Sequence, residues 1–164
     1  MHKLLKALQQ AHPSIQFTSG SKFLWSPETQ EVFYASTGHN ERDIWSLLHE
    51  TGHALLEHTS YTTDVELLKL EAAAWAKAHG LGASLGIKID ENHVQDCLDS
   101  YRDWLHARAL CPTCTTRCLQ QDNGQQYRCH NCHTTWKVTP SRFCRPYRSV
   151  NSTAQSVAIF AASA

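Results

Sequence analysis

The chain of 164 residues is 41% hydrophobic and carries no net charge, a composition that suits one modest domain or one domain with a small appendage. It has no run of about eighteen apolar residues and no apolar leader with a cleavage site, which argues against a membrane-spanning or exported protein. We therefore expect a cytoplasmic protein.

The charges divide the chain into two regions. Up to Leu110 there are nine Lys and Arg residues and fourteen Asp and Glu residues, a net charge of −5. From Cys111 onward six basic residues face one acidic residue, a net charge of +5. This change predicts a first domain over 1–110, a basic cysteine-containing segment over 111–150 and a flexible tail over 151–164.

The first domain is expected to be α+β. An amphipathic helix at the N-terminus is followed by FTSGSKFLWSPETQEVFYAS, in which short apolar runs flank a Ser-Pro-Glu-Thr-Gln turn. This stretch predicts a hairpin.

Three more helices follow the hairpin. Asn40, with Asp43 three residues later, and Thr63, with Glu66 three residues later, have the spacing of helix N-caps. The helix after Thr63 is predicted to end at Gly80. The last helix is predicted from about Asp90 to Leu110, with an apolar stripe of Val94, Leu98, Tyr101 and Leu105.

The stretch HETGH falls on the helix that begins after Asn40. His49 and His53 are four residues apart, so their imidazoles lie on one face and can bind one ion, with Glu50 at the edge of the site. The alternative is that both histidines are ordinary helix residues bonded to nearby carbonyl groups.

A third metal ligand is predicted on the next helix. Glu71 falls on a stripe that is otherwise apolar, and an ionised carboxylate in such a position needs a partner such as a metal ion. In the alternative, Glu71 is exposed and pairs with Lys69 or Lys77.

HETGHALLEH, followed about twenty residues after its first histidine by EAAAWAKA, resembles the ImmA/IrrE-type metallopeptidases. In that family an HExxH helix is followed by a helix that opens ExxA. The resemblance covers roughly residues 15–110, and Trp75 and Lys77 stand where many members have Asn and Phe.

The resemblance implies a minimal zincin-like domain with a small antiparallel sheet, helices, and HExxH on the active-site helix. His49, His53 and Glu71 would hold a catalytic zinc, and Glu50 would be the general base for a metal-activated water that hydrolyses a peptide bond. The implied substrate is a specific protein, typically a transcriptional regulator such as a repressor.

Two further polar residues lie near HETGH in the sequence. His58 is about 140° round the helix from His53 and cannot join the same ion unless the helix ends first, so we interpret it as structural. Tyr61 is a candidate donor to the developing oxyanion, with simple packing as the alternative.

Four cysteines form two CxxC pairs, CPTC and CHNC, in the basic segment. Their spacing predicts a structural zinc held by Cys111, Cys114, Cys129 and Cys132 in a zinc ribbon. The residues CLQQDNGQQYRC predict two short strands around Asp122–Gly124. The CxxC pairing excludes four neighbouring residues as ligands of this zinc: Cys118, His130, His133 and Cys144.

The stretch TWKVTPSRFCRPYRS combines Lys137, Arg142, Arg145 and Arg148 with Trp136, Phe143 and Tyr147. Such a pattern suits DNA or an acidic protein partner. In the alternative, these arginines pair with the acidic first domain.

Two other functions remain open. A SprT-like protease that acts on DNA-associated proteins also combines HExxH with a zinc ribbon, and His79 would be its third ligand. A non-catalytic module would bind nucleic acid or protein through zinc, without a need for Glu50.

Overall fold

The computed structural model describes residues 1–36, 40–120 and 126–138, together with the backbone of Arg148–Val150. They form four helices and two three-stranded sheets, so the fold is mixed α+β as predicted. The chain forms two compact units, Met1–Leu105 and His106–Ala164. Within the described residues, no helix combines the length and apolar character needed to cross a bilayer.

The secondary structure elements alternate between helices and short strands. In chain order they are α1 (His2–Ala11), β1 (Gln16–Gly20), β2 (Leu24–Ser26), β3 (Glu31–Ala35), α2 (Glu41–Leu55), α3 (Asp64–Ser84), α4 (Glu91–Arg108), β4 (Gln126–Arg128), β5 (Thr135–Val138) and β6 (Arg148–Val150). The predicted tail over 151–164 lies outside the described residues.

The sheet of the first unit is mixed, and the prediction of an antiparallel sheet is wrong for one of its two pairings. β2 and β3 form the predicted antiparallel hairpin, with Trp25 opposite Val32. β3, however, lies between β1 and β2, and it pairs with β1 in parallel. The chain reverses twice between β1 and β3, so these two strands run in the same direction.

The starts of α2 and α3 follow the predicted capping. The side chain of Asn40 accepts a hydrogen bond from the Asp43 N–H at 3.1 Å, and Asp43 accepts one from the Asn40 N–H at 3.0 Å. Thr63 accepts a hydrogen bond from the Glu66 N–H at 3.1 Å. Both N-caps are confirmed, and they fix the helical register of HETGH and of Glu71.

The predicted end of α3 at Gly80 is wrong. The helix runs on to Ser84, because a glycine inside a helix costs only about 1 kcal/mol. Gly86, two residues after the end of the helix, has a φ of +69° and reverses the chain, and the Ile87 N–H donates to the Gly82 oxygen at 2.8 Å. The stop signal was the third glycine of this stretch instead of the first.

One hydrophobic core joins the helices and sheet of the first unit. Apolar residues from α1, the sheet, α2, α3 and α4 meet in it, which matches their helical and alternating spacing. Its most buried members are Leu8, Val32, Leu47, Leu48 and Ala78. The core supports α2 and α3, the two helices that carry the predicted metal ligands.

The second unit has a small core of its own. Tyr127 and Trp136 are fully buried and stack with ring centroids 5.5 Å apart. Of the two strands predicted around Asp122–Gly124, β4 is present and Gln120 makes a single bridge to Tyr127, while the predicted turn lies outside the described residues. The sheet is completed by β5 and β6.

Candidate metal centres

Three side chains from α2 and α3 converge inside the first unit. Nε2 of His53 lies 3.1 Å from Nε2 of His49. Oε2 of Glu71 lies 3.2 Å from Nε2 of His49 and 3.7 Å from Nε2 of His53. The structure thus brings together the three residues that the sequence predicts as ligands of a catalytic metal.

The spacing of these three atoms suits one divalent cation. Ligands held about 2.0–2.2 Å from a tetrahedral zinc ion lie about 3.3–3.6 Å from one another. The separations here are 3.1, 3.2 and 3.7 Å. Two imidazoles and one carboxylate are also a ligand set of catalytic zinc sites that keep a position for water. The group could therefore hold a metal ion, and zinc is compatible with it.

A glycine allows α2 and α3 to approach closely at this site. A Cβ atom added at Gly52 would lie 2.6 Å from the backbone oxygen of Ala74, which is fully buried. Gly52 lies between the two histidines of HETGH, and Ala74 follows Glu71 by about one helical turn. The glycine of the motif was the sequence signal for this contact.

Glu71 is a buried carboxylate with 5% of its surface exposed. Burial raises the pKa of a carboxyl group, but the hydrogen bond with His49 and the imidazole of His53, 3.7 Å away, outweigh burial and hold the pKa of Glu71 well below its usual range. The alternative in which Glu71 is exposed and pairs with Lys69 or Lys77 is wrong.

Glu50 directly follows His49 on α2 and is half-buried, and strand β2 holds its carboxylate. The backbone N–H of Trp25 donates to Oε2 of Glu50 at 2.7 Å. This contact occupies one of the two carboxylate oxygens and fixes the side chain of Glu50 relative to α2. No signal in the sequence identifies Trp25 as this donor, because every residue except proline has a backbone N–H.

His58 lies against His53, since α2 ends at Leu55. Nδ1 of His58 is 2.8 Å from Nδ1 of His53, on the side of that ring opposite Nε2. Partial burial, followed by the charge of His53, lowers the pKa of His58. The angle of about 140° expected for a continuing helix therefore does not apply.

Trp25 also fixes the backbone of His58. Its indole Nε1–H donates to the His58 carbonyl oxygen at 2.7 Å. The same residue thus contacts Glu50 through its backbone and His58 through its side chain. With 8% of its surface exposed, Trp25 belongs to the core and is a rigid anchor for both.

The remaining residues predicted near this site have other surroundings. Tyr61 is half-buried and packs against the cluster of Leu67, Trp104 and Leu105. Its role as an oxyanion donor stays a prediction. Nε2 of His79 lies 3.4 Å from the carboxylate of Glu91. Within the described residues, the group that contains both HETGH histidines is completed by Glu71 and not by His79.

The four cysteines of the two CxxC pairs converge in the second unit. Sγ of Cys111 lies 3.5 Å from that of Cys132, and Sγ of Cys114 lies 3.5 Å from that of Cys129. In a tetrahedral site with Zn–S distances of about 2.3 Å, sulfur atoms lie about 3.8 Å apart. The group could therefore hold a metal ion, again compatible with zinc.

The two cysteine pairs share a longer repeat, CxxCxT, which the sequence analysis missed. Thr115 and His133 follow the second cysteine of each pair, with φ of +57° and +60°. The next residue is a threonine whose Oγ1 lies near that cysteine, at 3.3 Å for Thr116 and 3.2 Å for Thr134. Each CxxCxT stretch is therefore one loop with the same backbone turn and the same hydroxyl contact.

The thiols of this group differ in their electrostatic surroundings. Burial raises the pKa of the Cys111 thiol. Hydrogen bonding with the Thr116 hydroxyl lowers the pKa of the Cys114 thiol. The Cys114 thiol therefore ionises more easily than the Cys111 thiol. A bound cation would favour the thiolate form of both.

The cysteines and histidines near the two pairs lie outside the group. Cys118 is buried, and its thiol donates to the Thr116 carbonyl oxygen at 3.3 Å. His130 and His133 are exposed. Cys144 lies outside the described residues. For the described neighbours, the structure agrees with the prediction that they are not ligands of the cysteine group.

Trp136 does not belong to the exposed basic and aromatic surface that the sequence predicts. The indole is fully buried and donates to the Arg108 carbonyl oxygen at 3.0 Å, so Trp136 cannot stack on a partner as the sequence pattern suggested. Lys137 is exposed. The side chains of Arg142, Phe143, Arg145, Tyr147 and Arg148 lie outside the described residues.

Two groups of side chains could therefore hold a metal ion. In the part of the chain that the structure describes, they are the groups of three or more His, Cys, Asp and Glu residues whose ligand atoms all lie within 4.8 Å of one another. Comparisons of the chain with protein-family models, with curated proteins and with solved structures found no match.

Proposed function

We propose that this protein is a zinc-dependent endopeptidase of the ImmA/IrrE type, with a zincin-like first unit and a zinc ribbon in the second. The observation that carries the proposal is the convergence of His49, His53 and Glu71, with Glu50 next to His49 in the chain and held by the Trp25 N–H. The proposed substrate is a specific regulatory protein, such as a transcriptional repressor.

The proposed chemistry divides the work between the metal and Glu50. A zinc ion held by the two histidines and Glu71 would polarise the scissile carbonyl and lower the pKa of a bound water to about 7. Glu50 takes a proton from the attacking water and gives it to the leaving amine. Because the Trp25 N–H holds Oε2, the other carboxylate oxygen is the one that accepts this proton.

The position of Glu50 favours an enzyme over a non-catalytic zinc module. A module that only binds a partner has no need for a carboxylate beside the metal ligands. Here the Glu50 carboxylate is held at 2.7 Å by a backbone N–H of a neighbouring strand. The third ligand position favours the ImmA/IrrE type over the SprT type, since Glu71 and not His79 lies against His49.

The second unit favours an additional role in binding nucleic acid. Arg117, Arg128 and Lys137 are exposed, and residues 106–120 and 126–138 contain no Asp or Glu. Titration of a labelled DNA duplex should give binding that weakens as salt is raised. Arg128→Gln should lower the salt slope, and a salt-independent affinity would contradict an electrostatic interface.

Metal analysis tests the proposed sites. The purified chain, after mild chelation, should contain two zinc ions per chain by elemental analysis. Glu71→Gln should retain one, because a neutral amide is a poor third ligand. Glu28→Gln, the same change at an exposed turn residue, should retain two. One zinc ion per chain in both wild type and Glu71→Gln would contradict the proposed catalytic site.

Cleavage is tested separately with Glu50→Gln. Wild type and variant are incubated with a peptide library prepared from a whole-proteome digest, and new N-termini are identified by mass spectrometry. Wild type should create termini that the variant does not, although both hold two zinc ions. Identical peptide patterns would contradict a peptidase that uses Glu50.

A further inference from the structure

His58 belongs to a hydrogen-bonded chain that ends at the candidate metal ligands. The Trp25 indole contacts the His58 carbonyl oxygen, and Nδ1 of His58 contacts Nδ1 of His53. Nε2 of His53 in turn faces His49 and Glu71. We propose that His58 is a positioning residue that accepts a hydrogen bond from His53 and directs its Nε2 toward the metal. This inference rests on the proposed metal site.

The backbone places His58 independently of its imidazole. After α2 ends at Leu55, Glu57 adopts a φ of +52°, and the chain turns back along the helix. The His58 N–H donates to the His53 carbonyl oxygen at 3.1 Å, and its own carbonyl accepts from Trp25 at 2.7 Å. Replacing the His58 side chain therefore leaves the two backbone bonds that fix its Cα.

The tautomer of His53 explains why an acceptor is needed here. A metal takes the lone pair of a neutral imidazole nitrogen, so ligation through Nε2 puts the ring proton on Nδ1. The partner of Nδ1 must then accept that proton. His58 can do so through Nδ1, at 2.8 Å, when its own proton is on Nε2.

The two histidine ligands differ in this respect. Within the described residues, Nδ1 of His49 is buried without a hydrogen-bond partner. The His49 ring is instead stacked on Trp75, with centroids 4.2 Å apart. Hydrogen bonding thus fixes the tautomer of His53, whereas aromatic packing fixes the ring of His49. His58 acts on one ligand only.

Two variants of His58 separate hydrogen bonding from packing. Asparagine places Oδ1 where histidine has Nδ1, so His58→Asn retains an acceptor. Leucine has the same branching without an acceptor, so His58→Leu removes it. Zinc affinity of the first-unit site, measured by competition with a chromophoric chelator, should fall about 10–100-fold in His58→Leu. It should stay close to the wild-type value in His58→Asn.

A second measurement reports the hydrogen bond of the ligated histidine. In ¹⁵N-edited spectra of zinc-loaded wild type and His58→Asn, the Nδ1–H proton of His53 should exchange slowly with water, because it is hydrogen-bonded. In zinc-loaded His58→Leu the same proton should exchange faster. A purely structural His58 would alter thermal stability without this spectroscopic difference.

The outcomes are distinct from those of the cleavage experiment. Equal zinc affinity in wild type and His58→Leu overturns the role of His58, as does an equal loss in His58→Asn and His58→Leu. A wild-type chain that binds only the cysteine-held zinc overturns both the metal site and this inference. Two bound zinc ions without any cleavage would overturn the peptidase proposal only. The role of His58 would still be testable, because zinc affinity is measured without substrate.

Discussion

The two candidate metal centres are built in opposite ways. The cysteine group comes from two short loops, each closed by its own backbone hydrogen bonds, with Thr115 N–H to Cys111 oxygen in one and His133 N–H to Cys129 oxygen in the other. The imidazole and carboxylate group comes from two long helices and exists only where α2 and α3 touch. One centre depends on local turns and the other on tertiary packing.

This difference matches the chemistry of each centre. Four thiols fill all positions of a tetrahedral ion, which suits a structural metal. Two histidines and Glu71 would leave one position of such an ion free, and under the proposed function Glu50 would act there as a base. We therefore expect metal removal to act on the fold of the second unit and on the chemistry of the first.

Cys129→Ser should have the largest effect. Cys129 is fully buried and accepts N–H contacts from Asn131 and Cys132 at 3.4 Å each. A structural zinc contributes on the order of 10 kcal/mol in small domains, so its loss should unfold the second unit. Hydrogen exchange should show lost protection over residues 126–138 and unchanged protection in α2 and α3.

Cys118→Ser is the matched control for this prediction. It makes the same atomic change at a buried cysteine of the same unit that lies outside the metal group. Protection over 126–138 should largely remain. If α2 also loses protection from exchange in Cys129→Ser, the stability of the first unit depends on the cysteine centre, and the two centres are not independent.

Gly52→Ala should have the next largest effect, and it should act on the first centre. The new Cβ would lie 2.6 Å from the Ala74 oxygen, so α3 must move away from α2. Overpacking of this kind costs about 1–3 kcal/mol. Urea unfolding should show that loss, and elemental analysis should show the loss of one zinc.

Gly80→Ala provides the control on α3. Among the described residues, no atom outside the neighbouring backbone of α3 lies within 4 Å of a Cβ added at Gly80, so alanine should stabilise the helix by about 1 kcal/mol or less. Both zinc ions should remain. Retention of two zinc ions in Gly52→Ala would mean that the helices have room to spare at the site.

The smallest expected effect concerns the pH dependence of the metal-free chain. Because the pKa of Glu71 is lowered in the folded state, its carboxylate contributes stability above the unfolded value of about 4.5. That contribution is lost as the pH falls through and below this value. The difference in free energy of unfolding between wild type and Glu71→Gln, about 1–2 kcal/mol near neutrality, should shrink on acidification.

Urea titrations of both metal-free proteins from neutral pH to about pH 3 measure this difference. Glu28→Gln, compared with wild type in the same way, corrects for the change of an exposed carboxylate. A difference for Glu71→Gln that stays constant with pH would mean that the ionised carboxylate does not stabilise α2 against α3.

Local spacing in the sequence predicted much of both centres. The N-caps at Asn40 and Thr63 depend on residues three positions away, and each CxxC pair depends on one turn. Glu71 was found because it interrupts an apolar stripe. These features are encoded within a few residues, so the sequence displays them directly.

Features that depend on distant contacts were not predictable in this way. The parallel pairing of β1 with β3 depends on which strand takes the central position. The contact of the Trp25 N–H with Glu50 uses a backbone group that nearly every residue has. The position of His58 depends on α2 ending at Leu55, and helix ends are the least certain part of a sequence pattern.

The CxxCxT repeat also has a consequence for the order of assembly. Each CxxCxT turn, Cys111 to Thr116 and Cys129 to Thr134, is closed over only a few residues. The entropy cost of closing each loop is therefore small. Each turn can therefore form early, before β4 and β5 pair, and under the proposed function it would capture a metal ion with two thiolates. The histidine site forms only when α2 meets α3, so a chain refolding from the unfolded state would acquire the cysteine-held metal first.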